Sequence, residues 1–199
     1  MNSRRPIFIV FEGLDGSGKS TCATELAERI GAELLTTPST RVRRYRDDLI
    51  EGLGSNQEAR QLFYLATVLA ASDEVASLLQ RGRSVVLDRY FLSTQAYAAF
   101  RGSRLAADDL HRLLQPAEVT FYMDTPLATR IARLHRRGAS AADLETVTAE
   151  ADGRLREEHL RRAHLDVVGR FVRVQGDKGS PRDVLDRVVA ELAPVDPRR

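Results

Sequence analysis

The sequence contains one cysteine, Cys22, among its 199 residues. A single thiol excludes an internal disulfide framework and any metal site that is built from several cysteines. The chain also has little net charge, because 30 Lys and Arg residues nearly balance 28 Asp and Glu residues and leave a net charge of +2. A protein that binds mainly nucleic acid normally carries a clear basic excess. We therefore expect no nucleic-acid partner.

Long apolar runs are missing as well. No stretch reaches the roughly 18 to 20 uninterrupted apolar residues that are needed to cross a bilayer. The first apolar run, Pro6 to Phe11, is too short for the core of a signal peptide, and it ends at Glu12 rather than at a small-residue cleavage site. We therefore expect no membrane partner and a cytoplasmic location.

The order of the apolar segments predicts the fold class. Short continuous apolar runs are typical of strands buried on both faces of a parallel sheet, and segments with helical periodicity separate them. The predicted strands are 6–11, 33–37, 84–88, 119–124 and 170–174, and the predicted helices are 20–30, 56–80, 93–100, 106–114, 126–137, 146–168 and 181–192. This alternation predicts an α/β protein with a five-stranded parallel sheet covered by helices on both faces. The length suits a single domain over residues 1–199.

Residues 13–20, here called the P-loop, match the pattern G-x-x-x-x-G-K-[ST]. The pattern follows a predicted buried strand and precedes a predicted helix, as phosphate-binding loops of this kind require. The loop's N–H groups and the helix N-terminus would bind phosphates, Lys19 would bridge the β- and γ-phosphates, and Ser20 would ligate Mg²⁺. The sequence thus predicts a three-layer P-loop NTPase fold that uses ATP and Mg²⁺. The predicted nucleotide-binding residues are Gly13, Asp15, Gly16, Ser17, Gly18, Lys19, Ser20 and Thr21.

Other features narrow the type of P-loop protein. A GTPase would need an Asn/Thr-Lys-x-Asp motif, but neither Asn2 nor Asn56 precedes a lysine, and the sequence has no Thr-Lys pair. A motor-type ATPase would usually end its third strand in Asp-Glu, which supplies a carboxylate to activate water. Here Asp88 is followed by Arg89. An arginine beside the phosphate site suits an anionic acceptor, so the pattern favours a kinase. We expect the side chain of Arg89 to face away from the P-loop.

The segment 133–148 has an unusual composition. It begins with three arginines, Arg133, Arg136 and Arg137, and continues through glycine, alanine and serine with few large apolar residues. Such a stretch buries little surface, which predicts a small arginine-rich mobile lid. An ordinary surface loop between helices is the alternative.

Two segments carry a family resemblance. Residues 11–21, Phe-Glu-Gly-Leu-Asp-Gly-Ser-Gly-Lys-Ser-Thr, and residues 88–97, Asp-Arg-Tyr-Phe-Leu-Ser-Thr-Gln-Ala-Tyr, resemble the thymidylate (dTMP) kinase family. The residues 121–126, the lid and Gly176-Asp177 before the final helix fit the rest of that pattern, so the resemblance covers nearly the whole chain. It implies ATP-dependent phosphorylation of a nucleoside monophosphate, dTMP to dTDP, by a homodimer.

The resemblance also implies a catalytic role for individual residues. Asp88 would join Ser20 in the Mg²⁺ site, and Arg89 would bind the 5′-phosphate of the acceptor. The lid arginines would close over the phosphoryl group during transfer. The predicted catalytic residues are Lys19, Arg89, Arg133, Arg136 and Arg137.

On the acceptor side the resemblance implies contacts from several elements. Asp15 would approach the sugar 3′-hydroxyl, Phe63 would stack on the base, and Tyr97 would fill the place of a ribose 2′-hydroxyl. Pro38 would pack against the sugar, with Ser93 and Thr94 near the base edge. The acceptor-binding residues implied in this way are Asp15, Pro38, Phe63, Thr67, Arg89, Ser93, Thr94 and Tyr97.

The sequence departs from the family pattern on this acceptor side. In the family an arginine one helical turn after the stacking phenylalanine hydrogen-bonds thymine, and Thr67 takes that position here. Charged residues that the family has after the second strand are absent here. An arginine cluster at 41, 43, 44 and 46 either replaces them or is a solvated helix face. Two alternatives to dTMP phosphorylation therefore stay open: a kinase for a different, modified nucleotide or nucleoside, and a nucleotide-binding regulator without turnover.

Overall fold

The computed structural model describes residues 5–192, without the side chains of residues 141 and 142. The strands are β1 (Phe8–Glu12), β2 (Glu33–Thr36), β3 (Val85–Asp88), β4 (Val119–Asp124) and β5 (Arg170–Gln175). The helices are α1 (Lys19–Ile30), α2 (Thr40–Arg43), α3 (Arg46–Gly52), α4 (Gln57–Gln80), α5 (Phe91–Phe100), α6 (Leu127–Arg137), α7 (Ala141–Leu144), α8 (Ala149–Arg161) and α9 (Pro181–Glu191). Two 3₁₀ turns occupy Asp108–Leu113 and Asp166–Val168.

The five strands form one parallel sheet in the order β2-β3-β1-β4-β5. The predicted five-stranded parallel sheet is confirmed. Because all strands run in the same direction, their carboxyl ends meet at one edge of the sheet, and ligands of open α/β sheets bind outside that edge. The segments that follow β1, β2, β3 and β4 therefore lie together at this edge.

Alternate residues of the central strand enter two separate cores. Phe8 and Val10 pack in a cluster with residues of α4 and α5, whereas Ile9 and Phe11 pack with residues of α1 and α9 on the other side. All four side chains are at most 1% exposed. A strand that is apolar at every position can be buried in this way only between two helical layers, which confirms the three-layer architecture.

Helix α4 is long and apolar enough, by length and composition alone, to cross a membrane. A helix was predicted over 56–80, but no uninterrupted apolar run of membrane-spanning length was found there. Its residues Leu65, Val68 and Val75 are at most 3% exposed and pack against β1 and β3. The core helix of a globular protein passes the same test, so its packing accounts for its composition.

Two predicted helices differ from the structure. The segment 106–114 contains a 3₁₀ turn rather than an α-helix, and the predicted helix 146–168 is shorter and interrupted. Thr148 caps the start of α8 by accepting a hydrogen bond from the N–H of Ala151 at 3.1 Å. The chain leaves α8 after Arg161 because Val167 and Val168 pack into the core, each 2% exposed. Helices α2, α3 and α7 were not predicted.

Two glycines allow a matched test of the turn that precedes β5. Gly169 has φ 61°, and a Cβ there would lie 1.9 Å from the carbonyl oxygen of Ala117. Gly82 has φ 75°, but its Cβ would meet nothing within 4 Å. We expect Gly82→Ala to cost about 1–2 kcal/mol for the left-handed conformation alone. Gly169→Ala should cost about 1–3 kcal/mol more, because the backbone must move. Urea unfolding of both variants measures the difference, and equal losses would contradict the close approach.

Candidate active site

The P-loop joins β1 to α1 at the carboxyl edge of the sheet. Gly13 has φ 134°, and a Cβ there would lie 2.8 Å from the carbonyl oxygen of Met123 in β4. Gly16 has φ 78°, and its Cβ would lie 2.8 Å from the carbonyl oxygen of Arg130 in α6. Glycine is therefore required at both positions. Helix α1 begins at Lys19, within the last two residues of the loop, so its N-terminal N–H groups face the same edge.

Lys19 is almost fully enclosed, with 5% of its surface exposed. Its Nζ donates to the carbonyl oxygen of Leu14 at 2.9 Å. Burial, followed by the charge of Arg89, lowers the pKa of Lys19 to about 8, although nearby carboxylates, Asp15 first, act in the other direction. A buried ammonium whose hydrogen-bond acceptor is a neutral carbonyl can accommodate added negative charge, such as that of a phosphate.

Ser20 and Asp88 come together from α1 and β3. The hydroxyl of Ser20 donates to Oδ2 of Asp88 at 2.5 Å. The other carboxylate oxygen, Oδ1, is buried and accepts no hydrogen bond from the residues described. A buried carboxylate oxygen without a partner needs an explanation, and hard oxygen atoms of this kind are ligands that Mg²⁺ prefers. Within residues 5–192 no cluster of three or more His, Cys, Asp or Glu residues occurs.

Arg89 follows Asp88 in the left-handed backbone region, with φ 69°. Its N–H donates to the carbonyl oxygen of Phe11 at 3.0 Å, and its own carbonyl accepts from the hydroxyl of Thr37 at 2.8 Å. Its guanidinium forms an ion pair with Asp15 of the P-loop. The prediction that Arg89 faces away from the P-loop is therefore wrong, because a sequence pattern does not show the carboxylate that attracts this side chain.

Asp15 binds two of the predicted acceptor-site residues at once. Its Oδ1 pairs with Arg89, and its Oδ2 accepts from the hydroxyl of Tyr97 at 2.6 Å. Burial opposes ionisation, but Arg89 and Lys19 outweigh it and keep the pKa of Asp15 well below its usual range. The guanidinium of Arg89 also lies over the ring of Tyr97, 5.4 Å from its centroid. Asp15, Arg89 and Tyr97, predicted separately, form one polar cluster.

The hydroxyls of Ser93 and Thr94 are engaged inside the protein. Ser93 is 5% exposed, and its hydroxyl donates to Glu12 and accepts from Arg89 at 3.2 Å. The hydroxyl of Thr94 donates to the carbonyl oxygen of Tyr90 at 3.1 Å. The structure therefore places Ser93 behind Arg89, and the prediction that it lies near a base edge is not supported by its position. The hydroxyl hydrogen of Thr94 is already donated to Tyr90, so this residue has no second hydrogen to donate to a base.

The remaining predicted acceptor residues lie on two elements. Pro38 is buried directly after Thr37, the residue that binds the backbone of Arg89. Phe63 and Thr67 lie one turn apart on α4, both partly buried. The hydroxyl of Thr67 donates to the carbonyl oxygen of Tyr64 at 2.7 Å. Thr67 can therefore offer only acceptor lone pairs to a ligand.

The three lid arginines differ in their surroundings, and their closure over the phosphoryl group stays a prediction. The guanidinium of Arg133 donates to the carbonyl oxygens of Ser17 at 3.1 Å and Gly176 at 2.8 Å. It therefore lies on the carbonyl side of the P-loop, whereas a phosphate binds the N–H side. Arg137 forms an ion pair with Asp143 at 2.7 Å, and Arg136 is exposed.

All three arginines belong to α6 rather than to a separate lid stretch, and the segment that follows contains buried Asp143 and Thr146. Lid motion stays a prediction.

The arginine cluster before α4 is not uniform. Arg41 and Arg44 are exposed, and Arg43 donates to the hydroxyl of Thr36 at 2.7 Å. Arg46 is partly buried; burial opposes its charge, but hydrogen bonding to Asp47 raises its pKa, and Tyr64 and Arg89 are close enough to act on it electrostatically. Only Arg46 is therefore a candidate for acceptor recognition.

The sequence analysis missed two buried charged residues at this edge, Arg130 and Glu12, both 0% exposed. Arg130 in α6 donates to the carbonyl oxygen of Asp15 at 2.7 Å and forms an ion pair with Asp152. Glu12 accepts hydrogen bonds from the start of α5. Nothing in the spacing distinguishes Arg130 from the exposed arginines around it. Glu12 could have been noticed as a charge at the end of an apolar strand.

Comparison with known proteins gives a consistent result. The family model described as thymidylate kinase matches residues 11–164. The chain is 30% identical to a probable thymidylate kinase of Thermococcus gammatolerans, over 94% of this chain and 97% of that protein. It is 31% identical to a thymidylate kinase of Cupriavidus necator, over 93% and 98%. A crystal structure of thymidylate kinase from Ehrlichia chaffeensis superimposes with a TM-score of 0.71 at 22% identity, over 95% of this chain and all of that one.

Arg130 provides a stability test of the support beneath the P-loop. Replacing it with methionine keeps much of the buried volume but removes the cation that Asp152 and the Asp15 carbonyl contact. Asp152 keeps a second ion pair, with Arg156, so the expected cost is that of the lost Arg130 contacts, about 1.5–3 kcal/mol. Arg161, in an exposed pair with Glu158, is a matched control, and Arg161→Ala should stay within about 0.5 kcal/mol. Denaturant unfolding compares them. A loss for Arg130→Met as small as that of the control would contradict this role.

Proposed function

This chain belongs to the thymidylate kinase family, and we propose that it transfers the γ-phosphate of ATP to dTMP, producing ADP and dTDP. As a member of that family it is a phosphotransferase with ATP as the phosphate donor. The observation that carries the proposal is the contact between the two halves of the site. Arg89, the expected acceptor-phosphate ligand, forms an ion pair with Asp15 inside the donor loop itself.

Phosphoryl transfer of this kind needs positioning and charge stabilisation more than covalent chemistry by the protein. Lys19 would donate to the transferred phosphoryl group. Its ammonium is bonded to a backbone carbonyl oxygen rather than to a carboxylate, so no bound anion would have to be displaced. Arg89 would bind the acceptor phosphate and direct its oxygen at the γ-phosphate. The N–H groups of the P-loop and of the first turn of α1 would bind the remaining donor phosphates.

We include Mg²⁺ in the proposal. Ser20 and Asp88 would hold the ion, which is supported by their 2.5 Å contact and by the unpartnered buried oxygen of Asp88. When bound, Mg²⁺ neutralises charge on the β- and γ-phosphates. Both residues lie beside Lys19, so the positive charge would be concentrated on one side of the transferred group.

A second acceptor class is favoured by one observation. The family arginine that binds thymine is replaced by Thr67, whose hydroxyl hydrogen is already donated to Tyr64. A base carbonyl would find no donor from this residue. The chain is therefore proposed to phosphorylate dTMP with weak base recognition, and a related pyrimidine nucleotide with a donor group at that position is the second candidate.

The proposal includes a homodimer, which the family resemblance implies, and a cytoplasmic location, which was expected from the short apolar runs of the sequence. A stripe of apolar residues on α4, formed by Leu62, Ala66 and Ala70 at four-residue spacing, is exposed. An unpartnered apolar helix face suits contact with a second copy of the chain. Sedimentation would then give twice the 22.2 kDa chain mass, and a monomer would contradict it.

The activity is tested by a coupled assay of ADP release from ATP with a panel of nucleoside monophosphates and nucleosides. We expect dTMP-dependent ADP release that requires Mg²⁺. Lys19→Ala should lower kcat by on the order of 10²–10³-fold, because it removes a preorganised charge at the transferred group. ADP release with none of the acceptors would identify a regulator without turnover, and activity with another base alone would correct the substrate.

Thr67→Arg tests the acceptor recognition. A charge-assisted hydrogen bond to a base carbonyl is worth about 10–150-fold in affinity, so this variant should raise kcat/KM for dTMP by at least about 10-fold. Ser77→Arg places the same side chain at an exposed position of α4, outside the stripe of Leu62, Ala66 and Ala70, and serves as the control, which should leave kcat/KM unchanged. If wild-type kcat/KM for dTMP is high and Thr67→Arg gives no gain, Thr67 does not limit recognition.

A further inference from the structure

Glu12 is a fully buried carboxylate that the proposed chemistry does not use. It ends β1, one residue before the P-loop, and is 0% exposed. Burial raises the pKa of Glu12 above its ordinary value, while hydrogen bonds from Ser93 and Tyr90 and the charge of Arg89 oppose that effect. A buried charge is costly unless several groups compensate for it, so its contacts need an account.

Those contacts lie at the start of α5. One carboxylate oxygen, Oε1, accepts the N–H groups of Tyr90 at 3.0 Å and Ser93 at 3.1 Å. The residue that would normally cap this helix, Tyr90, provides no side-chain hydrogen bond. Glu12 therefore caps α5 from a neighbouring strand, and the helix N-terminus stabilises its negative charge.

The second carboxylate oxygen connects Glu12 to Arg89. Oε2 accepts the hydroxyl of Ser93. Since that hydroxyl uses its hydrogen on Glu12, its lone pairs are available, and one of them accepts from the Nη1 of Arg89 at 3.2 Å. The other terminal nitrogen of the same guanidinium, Nη2, pairs with Asp15. Arg89 is thus fixed between Ser93 and Asp15, and Glu12 determines how the Ser93 hydroxyl is oriented.

We propose that Glu12 is a positioning residue that, through Ser93, fixes the Arg89 guanidinium at a set place relative to the P-loop. The connection is short, because Gly13 follows Glu12 directly and begins the loop. Glu12, at the end of β1, thereby fixes the position of Arg89, which follows the neighbouring strand β3, relative to the P-loop. The assignment of Arg89 to an acceptor phosphate rests on the proposed function, but the positioning itself does not.

The test uses three variants of the full chain. Ser93→Ala removes the link to Arg89 and leaves the two backbone N–H groups on Glu12, so the helix cap remains. Glu12→Gln keeps one side-chain oxygen that can accept those two N–H groups. In place of Oε2, which accepts the Ser93 hydroxyl, it puts an NH₂ group, which can only donate. Thr120→Val is the control, because Thr120 is another buried hydroxyl, 2% exposed, and it donates to the carbonyl oxygen of Val168 at 2.7 Å rather than to Glu12.

The first readout requires no substrate. Crystal structures or arginine side-chain NMR spectra of the nucleotide-free protein should show the Arg89 guanidinium displaced or reoriented in Ser93→Ala and Glu12→Gln, and unchanged in Thr120→Val. An unchanged Arg89 in both variants would overturn the proposal. If Glu12→Gln fails to fold, Ser93→Ala alone decides this readout.

The second readout is kinetic, with whichever monophosphate the wild type phosphorylates. We expect Ser93→Ala and Glu12→Gln to raise KM for the acceptor by on the order of 10-fold and to leave KM for ATP within about 2-fold. Thr120→Val should lower thermal stability without changing either KM. Equal increases in both KM values would mean a general structural role and would overturn the proposal. If the wild type phosphorylates no monophosphate, the proposed function fails, while the Arg89 readout still decides the role of Glu12.

Discussion

The ion pair between Asp15 and Arg89 connects the donor and acceptor sides of the site. Their side chains are only 19% and 25% exposed, so each charge depends on the other for compensation. Asp15 has a second partner, because its Oδ2 accepts the hydroxyl of Tyr97. Under the proposed function, a phosphate that bound Arg89 would therefore compete with one carboxylate oxygen of Asp15 and leave the other engaged.

Guanidinium groups of α6 stabilise the P-loop from the other side. Arg130 donates to the carbonyl oxygen of Asp15, and Arg133 donates to those of Gly16 and Ser17. These carbonyls point at α6, whereas phosphates bind the N–H side of such a loop. Of those N–H groups, the one of Ser17 donates to the carbonyl oxygen of Leu14 at 3.2 Å. Helix α6 leads directly into the segment that was predicted to be a lid. Any movement of α6 would therefore act on the P-loop through the side chains of Arg130 and Arg133.

The sequence predicted those features that depend on short-range patterns. Five apolar runs gave the five strands, and the P-loop was recognised because its glycines and Lys19 have fixed spacing. The predictions that failed required long-range information. Arg130 looks like its exposed neighbours until the packing of α6 on the loop is known. The helix predicted over 146–168 stops early because Val167 and Val168 enter the core. The direction of Arg89 depends on Asp15, which is 74 residues away in the chain.

The proposed catalytic and recognition residues are attached to different parts of the fold. Asp88 ends β3, Arg89 follows it, and Lys19 begins α1 at the end of the P-loop, so the adjacent strands β1 and β3 position all three. Phe63 and Thr67 lie on α4, which packs over the sheet, and the hydroxyl of Thr67 bonds within that helix to the carbonyl oxygen of Tyr64. Under the proposed function, a substitution at Thr67 would therefore change base recognition while the phosphate-binding residues stayed in place. The departure from the family at Thr67 would then be compatible with retention of its phosphoryl-transfer residues.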